Sequence, residues 1–181
     1  MKKLLNNKDF NSITTAEISR TAGVNEALIY RYFKDKRGLL HKVLLDYLQD
    51  FNIELRSAVK RTEGAANKIR QLIHSHIRIY DSNRLLAKIL LLEVRNFPGY
   101  FESDTYRAVK DYGKLLHQLI EQGVEEGSLR NEIPAASIRN FILGAIEHQC
   151  MAPIIFEREI DVDSIVEQLV EMVFKGIEKN K

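Results

Sequence analysis

Side chains that could catalyse a reaction are few in this sequence and poorly spaced for it. The five histidines stand at positions 41, 74, 76, 117 and 148. His74 and His76 are two residues apart, so on one helix they face different ways and make a poor metal pair. The sequence has no HExxH, CxxC or glycine-rich phosphate loop. We therefore predict no catalytic residue, no metal site and no cofactor.

Three further residues leave alternatives open. Glu93 and Glu147 lie in apolar stretches and could be general acids, but such residues are more often paired structural carboxylates or ligand contacts in a pocket. Cys150 is the only cysteine and is most simply a small apolar residue, with a redox-sensing role as the alternative. A helical metalloenzyme is the weakest of the functional classes considered.

Positive charge is concentrated near the N-terminus. Residues 1–45 carry nine Lys and Arg against four Asp and Glu, a net charge of +5, which leaves −3 for residues 46–181. A basic head on a mildly acidic body indicates that only the head meets a polyanion, although a solvated lysine-rich terminus would look similar.

Composition predicts a soluble cytoplasmic protein. The 181 residues are 45% hydrophobic and 29% charged, which is ordinary for a globular chain. A single cysteine excludes an intramolecular disulfide framework. The basic start is followed by polar residues rather than a signal-peptide core, and the longest apolar run, at 89–92, is far too short to cross a membrane.

Hydrophobic spacing of three and four residues predicts helices throughout, so the fold class is all-α. Asp35 is a suitable N-cap for a helix that begins near Leu39. The later helices are expected at 65–82, 83–97, 103–126, 134–153 and from Asp161 or Asp163 to Ile177.

The stretch from Thr14 to Phe33 predicts two short helices joined by a tight turn. Thr14 and Glu17 form a capping box, and Gly23 supplies the positive φ that ends the first helix. Asn25 is a strong N-cap for the second, in which Ile29 points inward. This is the pattern of a helix-turn-helix, whose second helix can enter the major groove, although any corner between two helices has similar geometry.

The residue types of this segment favour a helix-turn-helix over a general corner between two helices. The segment TTAEISRTAGVNEALIYRYFKDKRGLL closely resembles the DNA-binding head of the TetR family of bacterial transcription regulators. The resemblance implies a helix-turn-helix DNA-binding domain at 1–45 and a helical effector-binding and dimerisation domain at 46–181. The family normally has a full first helix before the Thr pair, so the short N-terminal segment here predicts a truncated first helix.

The resemblance also implies which side chains contact DNA. Hydroxyl groups and an ammonium should contact phosphates, which positions the head without reading sequence; these are Thr15, Tyr30, Tyr32 and Lys36. Four further residues stand where base edges could be read; these are Asn25, Glu26, Ala27 and Arg31. Taken one at a time, each could instead be a solvated surface residue.

The body is expected to hold a small hydrophobic effector. Apolar and aromatic residues with a few polar groups could line a cavity; the candidates are His76, Tyr80, Leu90, Arg95, Phe97, Tyr106, Tyr112, Phe141 and His148. A weak resemblance to the acyl-CoA-responsive fatty-acid regulators of the family favours a long-chain acyl-CoA. A filled core is one alternative, and a cationic drug beside Glu93 or Glu147 is another.

The last two helices are more apolar than a surface helix requires, which predicts a homodimer that pairs them across a four-helix interface. A two-fold dimer predicts a palindromic operator in double-stranded DNA. The leading function is a repressor that a ligand releases from its operator. The alternative is a helical interaction protein that has lost DNA binding.

Overall fold

Helices joined by short turns make up the chain, as the apolar periodicity predicts. The computed structural model describes residues 1–5 and 7–178. Its α-helices are α1 Lys2–Leu5, α2 Thr15–Ala22, α3 Ala27–Phe33, α4 Lys36–Lys60, α5 Ala65–Ser82, α6 Arg84–Lys88, α7 Asp104–Glu125, α8 Ala135–Ile155 and α9 Val162–Ile177. The only β pairing among these residues is an isolated bridge between Leu129 and Glu178. The all-α fold class is confirmed.

The helix ends follow the predicted capping residues. Asp35 accepts a hydrogen bond of 2.7 Å from the backbone N–H of Gly38, and Asp161 accepts one of 3.1 Å from Ser164. Gly127, two residues beyond α7, has φ of +72°, a conformation that glycine adopts without strain. Short-range sequence signals therefore set most of the boundaries.

One predicted helix is wrong in detail. The segment 83–97 was expected to form a single α-helix, but α6 ends at Lys88 and gives way to a π-helical turn at Ile89–Glu93 and a 3-10 turn at Val94–Asn96. Two more 3-10 turns lie at Phe10–Ser12 and Pro98–Glu102. A π turn adds a residue to the helical register, which periodicity cannot reveal when neighbouring side chains are all apolar.

A single hydrophobic core runs through the molecule from Leu5 to Ile177. The N-terminal part of α4 packs beside α3, and the rest of α4 packs against α5 and α7. The predicted domain boundary at 45/46 lies inside this 25-residue helix. Head and body therefore share α4. Among the described residues, no helix is long and apolar enough to cross a membrane.

Candidate DNA-binding surface and effector cavity

The turn between α2 and α3 has the predicted construction. Thr14 Oγ1 accepts a hydrogen bond of 3.1 Å from the Glu17 backbone N–H, and the Glu17 carboxylate accepts one of 3.1 Å from the backbone N–H of Thr14. Gly23 has φ of +68°. Asn25 Oδ1 accepts a hydrogen bond of 2.8 Å from the backbone N–H of Ala27, the first residue of α3, although Glu26 rather than Asn25 occupies the N-cap position. The capping box therefore fixes the start of α2, and Gly23 and Asn25 allow a short turn between the end of α2 and the start of α3.

The outer side of α3 is open to solvent, while Ile29 on its inner side is only 3% exposed. The side chains of Tyr30 and Tyr32 are 54% and 66% exposed. The predicted DNA-contacting residues that share this open surface are Asn25, Ala27, Tyr30, Arg31 and Tyr32. We call these five residues the recognition face.

Two other predicted contacts, Thr15 and Glu26, are half-buried and bonded to each other. The Thr15 hydroxyl donates to the Glu26 carboxylate and lies 3.1 Å from the Tyr30 hydroxyl oxygen. This cluster joins the start of α2 to α3. Glu26 can read a base only if it gives up its bond with Thr15.

Lys36, at the first position of α4, binds the segment that precedes α2. Its ammonium donates to the backbone oxygens of Phe10, Asn11 and Ile13 at 2.8, 3.3 and 2.6 Å. A lysine ammonium has three donors, so all of them are used. The phosphate contact predicted for Lys36 would require one of these bonds to break.

The body contains a small cavity between α4, α5, α7, α8 and the irregular segment after α6. Its volume is about 50 Å³, and it is lined by Tyr47, Leu48, Phe51, His76, Tyr80, Leu90, Arg95, Val109, Tyr112, Leu143 and Glu147. Small-molecule sites usually have roughly 300–1,000 Å³. A long ligand can therefore enter only if the surrounding helices move apart.

Most polar groups in the cavity wall are paired. His76 Nδ1 lies 2.7 Å from the Tyr112 hydroxyl oxygen. Arg95 donates two hydrogen bonds, of 2.9 and 2.6 Å, to the two carboxylate oxygens of Glu147. This hydrogen-bonded carboxylate raises the pKa of Arg95. The two opposite charges of the wall thus neutralise each other.

Five of the predicted effector-binding residues line this cavity, namely His76, Tyr80, Leu90, Arg95 and Tyr112. The structure does not bring the other four to it. Phe97 stacks on Arg37 of α4, and Tyr106 packs beside Tyr100 and Phe101. Phe141 and His148 lie on the solvent-exposed side of α8. The helices of Tyr106, Phe141 and His148 agree with the predicted ranges, but apolar periodicity does not say which face of a helix meets which neighbour. Phe97 is the last residue of the predicted helix that was wrong, and it lies just after the 3-10 turn that ends at Asn96.

Five lining residues were not expected at the cavity from the sequence; these are Tyr47, Leu48, Phe51, Val109 and Leu143. Glu147, the sixth, was expected in the pocket only as an alternative, as a ligand contact or beside a cationic drug, since an acidic residue in an apolar helix needs a partner. Tyr47, Leu48 and Phe51 gave no such signal, because they continue the regular apolar stripe of α4.

Burial of His76 predicts a loss of stability in acid. Burial lowers the pKa of His76 to about 3, whereas a histidine in an unfolded chain titrates near 6.5. Between these values the unfolded chain binds a proton that the folded protein does not, so stability falls as pH decreases below about 6.5. Between pH 7 and pH 5 this effect should remove about 2 kcal/mol. We expect His76→Gln to show a correspondingly flatter pH dependence in urea unfolding, and parallel curves would contradict this expectation.

The segment that follows the cavity also contacts the head end of α4. The guanidinium of Arg37 lies 4.5 Å from the ring centre of Phe97. The His41 ring stacks on Tyr100 at 6.3 Å, and the Thr105 hydroxyl donates to the backbone oxygen of His41 at 3.1 Å. Residues 89–106 therefore touch both the cavity, through Leu90 and Arg95, and the start of α4.

Among the described residues, no group of histidine, cysteine or acidic side chains is arranged to hold a metal ion. Burial raises the pKa of the Cys150 thiol to about 11, so this residue is not a reactive thiolate at neutral pH.

Comparison with known proteins agrees with this geometry. Residues 2–43 match the family described as bacterial regulatory proteins, tetR family, and residues 45–176 match the C-terminal region of YsiA-like proteins. The chain belongs to the TetR family. It is a DNA-binding transcription regulator and not an enzyme. Members of this family bind operator DNA, dimerise and respond to small-molecule effectors.

Relatives of this TetR regulator include proteins of fatty acid metabolism. It is 21% identical over 168 residues to the fatty acid metabolism regulator protein of Bacillus subtilis, covering 93% of this chain and 87% of that one. The structure of the fatty acid degradation regulator FadR from Bacillus halodurans aligns with a TM-score of 0.86 at 21% identity, over 96% of this chain and 90% of that one. FadR from Bacillus subtilis in complex with stearoyl-CoA aligns with a TM-score of 0.83 at 20% identity, over 92% and 90%. These structures share the fold.

Proposed function

We propose that this regulator is a repressor that a long-chain acyl-CoA or a similar lipid releases from its operator in the cytoplasm. The observation that carries the proposal is the shared helix: α4 lines the cavity with Tyr47, Leu48 and Phe51, and its first turn holds the head through Lys36. The solved relative that binds stearoyl-CoA supports this effector class.

A cationic drug is a less favourable effector. Such a ligand would need a free carboxylate in the cavity. Glu147 is the acidic residue in the wall, and both of its oxygens already bind Arg95. An apolar chain, by contrast, requires only that the aliphatic and aromatic side chains separate.

We propose that the recognition face enters the major groove, with Tyr30 and Tyr32 on phosphates and Asn25, Ala27 and Arg31 near base edges. The exposure of all five side chains supports this arrangement. A complete α2–α3 unit with an open outer side also favours a DNA-binding protein over an interaction protein that has lost this activity.

The operator should be an inverted repeat, since a two-fold dimer presents two recognition helices. Selection of bound duplexes from random DNA should return such a repeat, and binding should weaken steeply with salt, with each phosphate contact adding roughly −0.9 to the log–log slope. Recovery of no sequence at low salt, or of single half-sites only, would contradict this proposal.

We place the dimer interface on α8 and α9. Phe141 within α8 and Phe156 just after it are 61% and 64% exposed, and Met172 on α9 is 55% exposed. Gly144, His148 and Ala152 continue the exposed side of α8 between the two phenylalanines. Exposed apolar side chains on two adjacent helices are typical of an association surface, and the small residues let helices approach closely.

The cavity suggests how the effector acts. An acyl chain needs more than the present volume, so α4 and the segment 89–106 must move outward when it binds. The segment contacts the head end of α4, and the first turn of α4 holds the head through Lys36, so their movement would change the position of the recognition face. Release requires that the effector bind the opened arrangement more tightly than the closed one.

A further inference from the structure

The Tyr47 hydroxyl, in the cavity wall, is buried without a hydrogen-bond partner among the described residues. The Tyr47 side chain is 7% exposed, and none of the described residues forms a hydrogen bond with its hydroxyl oxygen. A buried hydroxyl without a partner costs free energy, and folded proteins rarely retain one unless something else satisfies it. Tyr47 lies on α4 and lines the cavity, so a bound molecule is a candidate for the missing partner.

The charged groups and the histidine of the wall restrict the chemistry of that molecule. Arg95 and Glu147 neutralise each other through two hydrogen bonds. His76 is uncharged at neutral pH because burial lowers its pKa to about 3, and its Nδ1 already faces Tyr112. A free carboxylate in this cavity would be repelled by Glu147. None of the described lining residues offers an unpaired cation to offset that repulsion. A neutral group that accepts a hydrogen bond suits the site better.

We propose that Tyr47 recognises the acyl carbonyl of a neutral thioester or ester, its O–H donating to the carbonyl oxygen while the alkyl chain fills the space opened between the helices. This inference rests on the proposed effector class and specifies which part of the effector the regulator reads. The site thereby prefers an activated acyl chain to the free acid.

The position of Tyr47 on α4 gives this contact a further consequence. It lies eleven residues after Lys36 on one continuous helix, a separation of about 16 Å along the axis. A hydrogen bond made only with the bound effector stabilises the arrangement of α4 that accommodates the effector. The contact therefore contributes to the difference in affinity on which release depends.

The test compares stearoyl-CoA with its S-octadecyl thioether, which lacks the carbonyl, and with stearate, by calorimetric titration of the full chain without DNA. We expect the wild-type protein to bind the thioester about 5- to 20-fold more tightly than the thioether, the ratio for one neutral hydrogen bond. Tyr47→Phe should lose this preference by weakening thioester binding alone. Stearate should bind more weakly than the thioester.

Two controls separate recognition from a structural role. Tyr106→Phe removes a hydroxyl outside the cavity and should leave the preference unchanged. Tyr47→Phe should melt at a higher temperature than the wild type in the absence of ligand, because it removes an unpartnered hydroxyl. Lower thermal stability of Tyr47→Phe, equal loss of affinity for thioester and thioether, tighter binding of stearate, or no binding of any of the three ligands would each overturn the inference.

The proposed function is measured separately, by operator release. If the wild-type protein prefers the thioester but the operator stays bound, the repressor mechanism fails while the role of Tyr47 stands. If acyl-CoA releases the operator but Tyr47→Phe keeps the full preference for the carbonyl, the role of Tyr47 fails alone.

Discussion

A Leu90→Phe variant should bind the operator as tightly as the wild-type protein but require about 10- to 100-fold more stearoyl-CoA for release. Leu90 is 4% exposed and lines the cavity from the π-helical turn. A larger side chain there would occupy the small void that the acyl chain must enlarge. With the acyl chain in place, the larger ring would overpack the site at a cost of roughly 1–3 kcal/mol that leucine does not impose.

The matched control for this variant is Leu92→Phe. Leu92 belongs to the same turn and is half-buried, but it does not line the cavity. We expect this variant to respond to acyl-CoA as the wild type does. Release assays by fluorescence anisotropy of labelled operator give both half-maximal concentrations, and a normal response of Leu90→Phe would show that the acyl chain binds elsewhere.

Lys36→Met should loosen the head without removing a phosphate contact. The methionine keeps the length of the side chain but leaves the backbone oxygens of Phe10, Asn11 and Ile13 without their shared donor. Hydrogen bonds to charged groups contribute roughly 1.5–3 kcal/mol. Amide hydrogen exchange in 10–13 and in α2 should therefore become about 10- to 100-fold faster.

The operator affinity of Lys36→Met should fall in proportion to the fraction of molecules whose head is correctly folded. The slope of affinity against salt should stay the same. Lys42→Met is the control, because Lys42 is exposed on the same helix and forms only a surface ion pair with Asp46. If amide hydrogen exchange is unchanged and the slope of operator affinity against salt is shallower by about 0.9, the Lys36 ammonium instead contacts a DNA phosphate.

The head could be predicted from sequence because its structure depends on short-range bonds. Thr14 with Glu17, Gly23 and Asn25 each satisfy or release a backbone group within three residues, and the residue types of the segment matched a known family. What the sequence did not show was the use of the Lys36 ammonium, since its acceptors lie 23 to 26 residues away. The charge of Lys36 suggested a contact with DNA, and its hydrogen bonds within the protein could be found only from the structure.

The cavity was predicted less completely for a related reason. Its wall combines one face from each of several helices, and their mutual rotation depends on the whole core. The π turn at Ile89–Glu93 shifts the register immediately before Arg95 and so helps to decide which side chain faces Glu147. Phe97, by the same geometry, meets α4 at Arg37 rather than the cavity.

An acyl chain in the cavity should weaken the binding of the head to DNA. The most direct measurement is the affinity of the dimer for its selected operator, at one salt concentration, without and with saturating stearoyl-CoA. We predict at least a 10-fold weaker affinity with the ligand, and an equal weakening of acyl-CoA binding when the operator is present, because the coupling is reciprocal. Saturation by stearoyl-CoA with no change in operator affinity would show that the cavity and the head are not coupled.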